Sequence, residues 1–186
     1  KNIDLFILSY DYNKNLVKSP LLIHQNIVNY LNQYRILSDN VAINNGFVIN
    51  FGVRFTVVAR TDVNKSDLKL KCIDEIINYF NIKNMDFNQT LYISDVENVL
   101  YNIDGVKVVK DLELTQDANT LGVDSHLFAS TGVPSDYVSG PTSSDYGYAY
   151  DFTQFNSDGV ILPAHPDTPA VFELKNPLDN VKGAVE

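Results

Sequence analysis

Phe47-Val48-Ile49-Asn50-Phe51-Gly52-Val53-Arg54-Phe55-Thr56-Val57-Val58 is the stretch on which the fold turns. Its odd-numbered positions, Phe47 to Val57, are all large and apolar, and they alternate with Val48, Asn50, Gly52, Arg54, Thr56 and Val58. Successive side chains of a strand point to opposite faces, so a period of two gives one greasy face and one mostly polar face. A greasy face of this length needs a cover, and the flanking sequence offers candidates. Asn45-Gly46 just before it reads as a turn or bulge, because both residues tolerate positive φ. Val41-Ile43 reads as a short strand leading into that turn.

Upstream, Leu5-Phe6-Ile7-Leu8 is a short apolar run, consistent with a strand buried on both faces. Ser19-Pro20 supplies an N-cap with proline at the first helical position. Ile23, Ile27, Leu31 and Tyr34 then fall three or four apart, predicting an amphipathic helix of about 17 residues. Downstream, a second helix begins near Ser66, with Leu70, Ile73, Ile76, Ile77 and Phe80 as its buried stripe. A third helix carries Ser94 and Glu97 at capping-box spacing, and Asn102 to Gly105 closes it. Val106, Val108, Leu112 and Leu114 alternate into a last strand. The order strand, helix, long strand, helix, helix, strand predicts an α+β fold, a small mostly antiparallel sheet with helices on one face.

Composition and charge divide the chain near Thr115. The whole chain has 186 residues, is 45% hydrophobic and carries a net charge of −9. Residues 1–115 hold 12 basic and 13 acidic side chains, whereas residues 116–186 hold 2 and 10, with six of the seven prolines and six of the nine glycines. The expectation is a compact α+β domain at 1–115 and an acidic, loop-rich C-terminal arm with short strands at 116–186. The arm also contains Val160-Ile161-Leu162, Val171-Phe172-Glu173-Leu174 and a series of aromatics. Aromatics on an irregular arm serve as interface anchors, which makes Tyr137, Tyr146, Tyr148, Tyr150, Phe152 and Phe172 the candidate inter-subunit contacts. The long strand, with its polar second face and its edge, predicts self-association, since a long flat edge is normally paired or covered.

Chemical motifs are missing. The chain has no G-x-S-x-G, Walker A loop, G-x-G-x-x-G or H-E-x-x-H. His24, His126 and His165 lie far apart, and Asp124-Ser125-His126 has triad residue types without triad geometry. Asn156-Ser157-Asp158-Gly159 resembles the start of a calcium loop, but His165 stands where the bidentate Glu would be, so it reads as a turn. The lone Cys72 excludes an internal disulfide and reads as a small buried hydrophobe. Sequons at Asn64 and Asn88 number about what chance gives in so Asn-rich a chain, and say nothing about secretion. The acidic balance argues against a nucleic-acid surface, which needs Lys and Arg for phosphate. No apolar run reaches the roughly 20 residues of a membrane span. The expectation is a non-enzymatic protein with no cofactor and no metal. The start at Lys1, without Met or a signal-peptide pattern, suggests part of a longer polypeptide.

An ordered set of segments resembles the baseplate wedge proteins of T-even-like contractile-tailed bacteriophages. Asn29-Tyr30-Leu31-Asn32-Gln33-Tyr34-Arg35-Ile36-Leu37-Ser38-Asp39 leads into Val41 and Phe47-Val48-Ile49-Asn50-Phe51-Gly52-Val53 as in that family. Cys72-Ile73 through Tyr79-Phe80-Asn81-Ile82, then Ile93-Ser94-Asp95 and Gly105-Val106-Lys107-Val108-Val109, are similar to its second helix, third helix and following strand. Ala149-Tyr150-Asp151, Gly159-Val160-Ile161-Leu162-Pro163, Phe172-Glu173-Leu174-Lys175 and Lys182-Gly183 are similar to its C-terminal end. The likeness spans nearly the whole chain in family order, with residues 116–147 the least similar. It implies the C-terminal portion of a virion structural protein, related to the baseplate-J-like family. Such a protein would assemble around the tail hub as a dimer or ring, with other wedge and hub proteins as partners and no catalytic residues. The competing expectations are a receptor-binding or adhesin-like module of a phage tail or fibre and, third, a hydrolase using tail carboxylates.

Overall fold

The computed structural model describes residues 2–34, 40–116, 150, 152, 158–161 and 169–186. The order is β1 (Asn2–Ile7), β2 (Ser9–Tyr10), β3 (Leu16–Val17), α1 (Leu21–Asn32), β4 (Asn40–Asn45), β5 (Phe47–Ala59), α2 (Lys65–Tyr79), β6 (Leu91–Tyr92), α3 (Ile93–Tyr101), β7 (Val106–Thr115), β8 (Val160–Ile161), β9 (Ala170–Leu174), the single turn α4 (Pro177–Asn180) and β10 (Val181–Val185). A turn of 3-10 helix at Ile82–Asn84 follows α2. The class is α+β, as the alternation and the helical periods predict.

β5 is the axis of the molecule. Ile49, Phe51, Val53, Phe55 and Val57 on its odd face are fully or almost fully buried. On one edge β7 runs antiparallel to Gly52–Ala59, with extra residues at Lys107 and Lys110 where the register jumps. Those jumps interrupt the expected alternation, and Val108 is exposed while Val106, Leu112 and Leu114 are buried. The other edge is taken by the end of the chain: β9 pairs parallel with Phe47–Phe51 and β10 parallel with Val53–Val57. The amide of Phe47 donates to the Pro169 carbonyl and that of Ala59 to the Glu186 carbonyl. Alternate residues of a strand present their backbone groups to the same edge, so β9 and β10 lie end to end along one side of β5.

Three expectations change here. The central sheet is mixed, because two of its strands come from the tail and join in parallel. The described parts of the acidic arm complete the same core that residues 1–115 begin, so the division at Thr115 does not separate two packing units there. Over Val53–Val57 both edges of β5 are taken by the chain itself, β7 on one side and β10 on the other, so the expected pairing with a second copy has no place along that part of the strand.

α2 starts where Asn64 caps it, its side-chain oxygen accepting from the Ser66 amide at 2.9 Å. It buries Leu68, Cys72 and Ile76 with Phe80 just beyond, while Ile73 and Ile77 flank this row and Leu70 is exposed. The buried stripe is therefore rotated from the expected one. α2 lies over β10 and α3, and α3 lies over β7. No capping box forms at Ser94 and Glu97: β6 runs straight into α3, and the Ile93 amide already donates to the Gly159 carbonyl. Gly105, at φ +105, closes α3 in a conformation that a β-carbon disfavours. Gly46 is no turn. β4 passes through it almost directly into β5, and a β-carbon there would collide with the Phe87 ring.

The N-terminal elements are thinner. β1 and β4 form a parallel two-stranded sheet, and α1 packs against β4. α1 begins after Pro20 without a side-chain cap, since the Ser19 hydroxyl engages Ser9 and its amide donates to Asn45. Leu5, expected to be buried on both faces of its strand, is 37% exposed.

Candidate interaction surfaces

Three of the candidate anchors fall on described residues, and the core takes them. Phe172 sits on β9 opposite Ile49 and is buried, as is Phe152. With Phe51 at their centre they form an aromatic cluster: Phe51 to Phe172 is 6.1 Å edge-on, Phe51 to Phe152 is 6.2 Å, and Phe51 to Phe80 is 4.9 Å edge-on. The half-buried ring of Tyr150 closes the cluster, 4.7 Å from Phe152 and 5.8 Å from Phe172. Its amide donates to Gln116, whose side chain in turn donates to the Asn50 carbonyl. Such tilted and edge-on contacts suit the ring quadrupoles. These aromatics do need burial, as the sequence suggests, but β5 and α2 supply it. Tyr137, Tyr146 and Tyr148 lie outside the described residues.

Exposed apolar side chains gather elsewhere, on α1. α1 buries none of its residues. Leu22 is 66% and Tyr34 71% exposed, and Leu21, Ile23 and Tyr30 are also exposed. Ile3 on β1 and Tyr10 and Tyr12 near the β2–β3 hairpin are exposed as well. From Leu21 to Tyr34 there is no Asp, Glu, Lys or Arg. An apolar face bordered by Asn and Gln, depleted of charge, has the composition of the central part of a protein interface. The periodicity of α1 predicts a buried stripe; the warning in the sequence is that its opposite face is uncharged too.

A second unexpected feature lies under the β2–β3 hairpin. Leu16, Val48 and Val171 form a small satellite core with Leu8, Ile82 and Met85 packed on it. Glu173 is buried among them, and one of its oxygens accepts from the Leu16 amide at 2.6 Å. Burial pushes its carboxyl up to about 7; the Leu16 hydrogen bond and Lys175 work against this shift and Asp11 adds to it. Cavities of about 210 and 220 Å³ flank the hairpin. The sequence signal was the one charge inside the run Val171-Phe172-Glu173-Leu174.

Burial pushes the Cys72 thiol up to about 11, away from the reactive thiolate. The His24 ring meets the Asn45 side chain at 3.3 Å. The described residues contain no group of three His, Cys, Asp or Glu side chains placed to hold a metal ion. His126, His165 and the 124–126 run lie outside the described residues. An open cleft of about 440 Å³ between α2 and α3 is lined by Lys71, Asp74, Glu75 and Asp104 among others. No helix among the described residues is long and apolar enough to cross a membrane. Comparison of the chain with protein-family models and with curated proteins gives no match.

Proposed function

We propose that this chain is a structural, non-enzymatic subunit of a contractile phage tail baseplate, a wedge component held in the virion by protein–protein contacts. The observation that carries the proposal is the uncharged surface of α1, with Leu21, Leu22, Ile23 and Tyr30 exposed, on a chain whose net charge is −9. Exposed apolar area of this kind marks a contact surface. The ordered resemblance to wedge proteins, running from Asn29 to Gly183, supports the baseplate as the place of that contact. Partners are then other wedge and hub proteins or further copies of the chain, with no nucleic acid and no membrane involved.

Crosslinking mass spectrometry of purified virions tests this. Lys14 and Lys18 lie just before α1 and should crosslink to other baseplate proteins. Detection of the chain only in fibres, with glycan or cell binding by the purified protein, would favour a receptor-binding module instead and overturn the wedge proposal.

A further inference from the structure

The β2–β3 hairpin is seated on a carboxyl group. Glu173 is only 3% exposed. Its Oε1 receives the Leu16 amide, and its Oε2 is buried with no hydrogen-bond partner among the described residues. A carboxylate ion has about four acceptor positions, and leaving one oxygen dry and unpaired is costly when the group is charged. A protonated carboxyl escapes most of that cost, keeps Oε1 for Leu16, and turns Oε2 into a donor. Asn50, directly across the register from Glu173 on β5, is fully buried and carries an amide able to accept.

The remaining surroundings leave the proton as the main variable. Charge reaches the site from Asp11 and Lys14 in the hairpin turn and from Lys175 two residues along from Glu173. The end of α2 and the 3-10 turn contribute Ile77, Phe80, Asn81 and Ile82, and β5 contributes Asn50, none of which titrates. The hairpin itself is light. Its ladder is two residue pairs, Ser9 with Val17 and Tyr10 with Leu16, and the two cavities beside it give its seat few packing neighbours.

We propose that Glu173 is a proton-controlled latch, holding the β2–β3 hairpin on β9 when protonated and loosening it when ionised. The seated state raises the affinity of Glu173 for its proton above that of an exposed glutamate. By linkage, seating is therefore strongest at and below the ordinary glutamate range. It weakens as pH rises from there, and the loss is complete once pH passes the seated-state value near neutrality. The latch concerns the seat of the hairpin and does not depend on the baseplate proposal.

Amide hydrogen exchange on the full chain, corrected for intrinsic rates, tests it. Between about pH 5.5 and about pH 8 the protection of the Leu16 amide should fall at least about tenfold. Leu16 should also exchange faster than Val53 in β5, as local opening requires. Glu173→Gln keeps an acceptor for Leu16 and removes the titration, so its Leu16 protection should be flat over that range. The wild-type Glu173 carboxyl, followed by its carbon chemical shift, should titrate well above the ordinary glutamate value of about 4.3. An ordinary midpoint, a Leu16 protection independent of pH, the same pH response in Glu173→Gln, or equal exchange at Leu16 and Val53 would each overturn the latch.

Discussion

α2 and α1 are both amphipathic on paper, and the molecule treats them oppositely. α2 carries charged residues at Lys65, Asp67, Lys69, Lys71, Asp74 and Glu75, and still buries Leu68, Cys72 and Ile76 completely or nearly so. α1 carries no such charge and fully buries none of its residues, Ile27, Val28 and Leu31 reaching only half-burial. The difference lies in what each helix can lean on. α2 faces a sheet in which β5 is joined by β7, β9 and β10, with α3 beside it. Among the described residues α1 has beside it the two-stranded sheet of β1 and β4, and a two-stranded sheet is too narrow to cover a helix and its own faces. An apolar stripe thus says that a helix wants a partner; the breadth of the neighbouring sheet decides whether the same chain provides it.

Substitutions can break or sharpen that contrast. Ile76→Asp places a charge in the fully buried row of α2 and should cost about 4 kcal/mol or more, read as a lowered midpoint in urea unfolding. A stability near wild type would mean that the α2 face is not core. Gly183→Val comes next. Gly183 lies opposite Phe55 in the β10 ladder, and a β-carbon there would collide with that ring. A loss of about 3 kcal/mol is expected from the overpacking, and thermal melting at unchanged stability would show that β10 is not bound to β5. Leu16→Ala, in the satellite core of the N-terminal region, should cost about 2 kcal/mol, near the low end for a buried leucine because cavities already border it. A loss as large as that of Ile76→Asp would place the hairpin in the main core. Leu22→Asp, on the open face of α1, should change stability by less than about 0.5 kcal/mol and, under the proposed function, should weaken incorporation of the chain into its assembly. Marked destabilisation of the isolated protein would show that α1 is covered after all.

The central strand was legible because its signal is local: six apolar side chains at a strict spacing of two allow few other readings. α2 was legible in kind, but the choice between Leu68-Cys72-Ile76 and Ile73-Ile77 as its buried row depends on where β10 and α3 stand, which is not local information. The tail strands are visible as apolar runs, but their neighbour is not. Parallel pairing of Ala170–Leu174 with Phe47–Phe51 needs a return across more than a hundred residues, and Pro and Gly content near Thr115 says nothing about that return. The same gap misplaced Phe152 and Phe172. Composition reports that an aromatic needs burial, and it is silent on whether the burying surface belongs to the same chain. Ser94 and Glu97 had the spacing of a capping box, yet the β6–β8 ladder had already claimed the amide at the start of α3.

Seating β9 and β10 along β5 also sets an order of events during synthesis. Phe51 and Phe55 leave the ribosome more than a hundred residues before the strands that shield their edge. At roughly 5–20 residues per second this is an interval of about ten seconds. Throughout it, the nascent chain offers a long greasy strand with one side open, the kind of edge that recruits other unfinished chains. A protein arranged in this way cannot be completed domain by domain as it emerges; its last strands act as the closing clasp, and crowded polysomes or a missing chaperone should tell on it more than on a chain whose sheet neighbours follow one another in sequence.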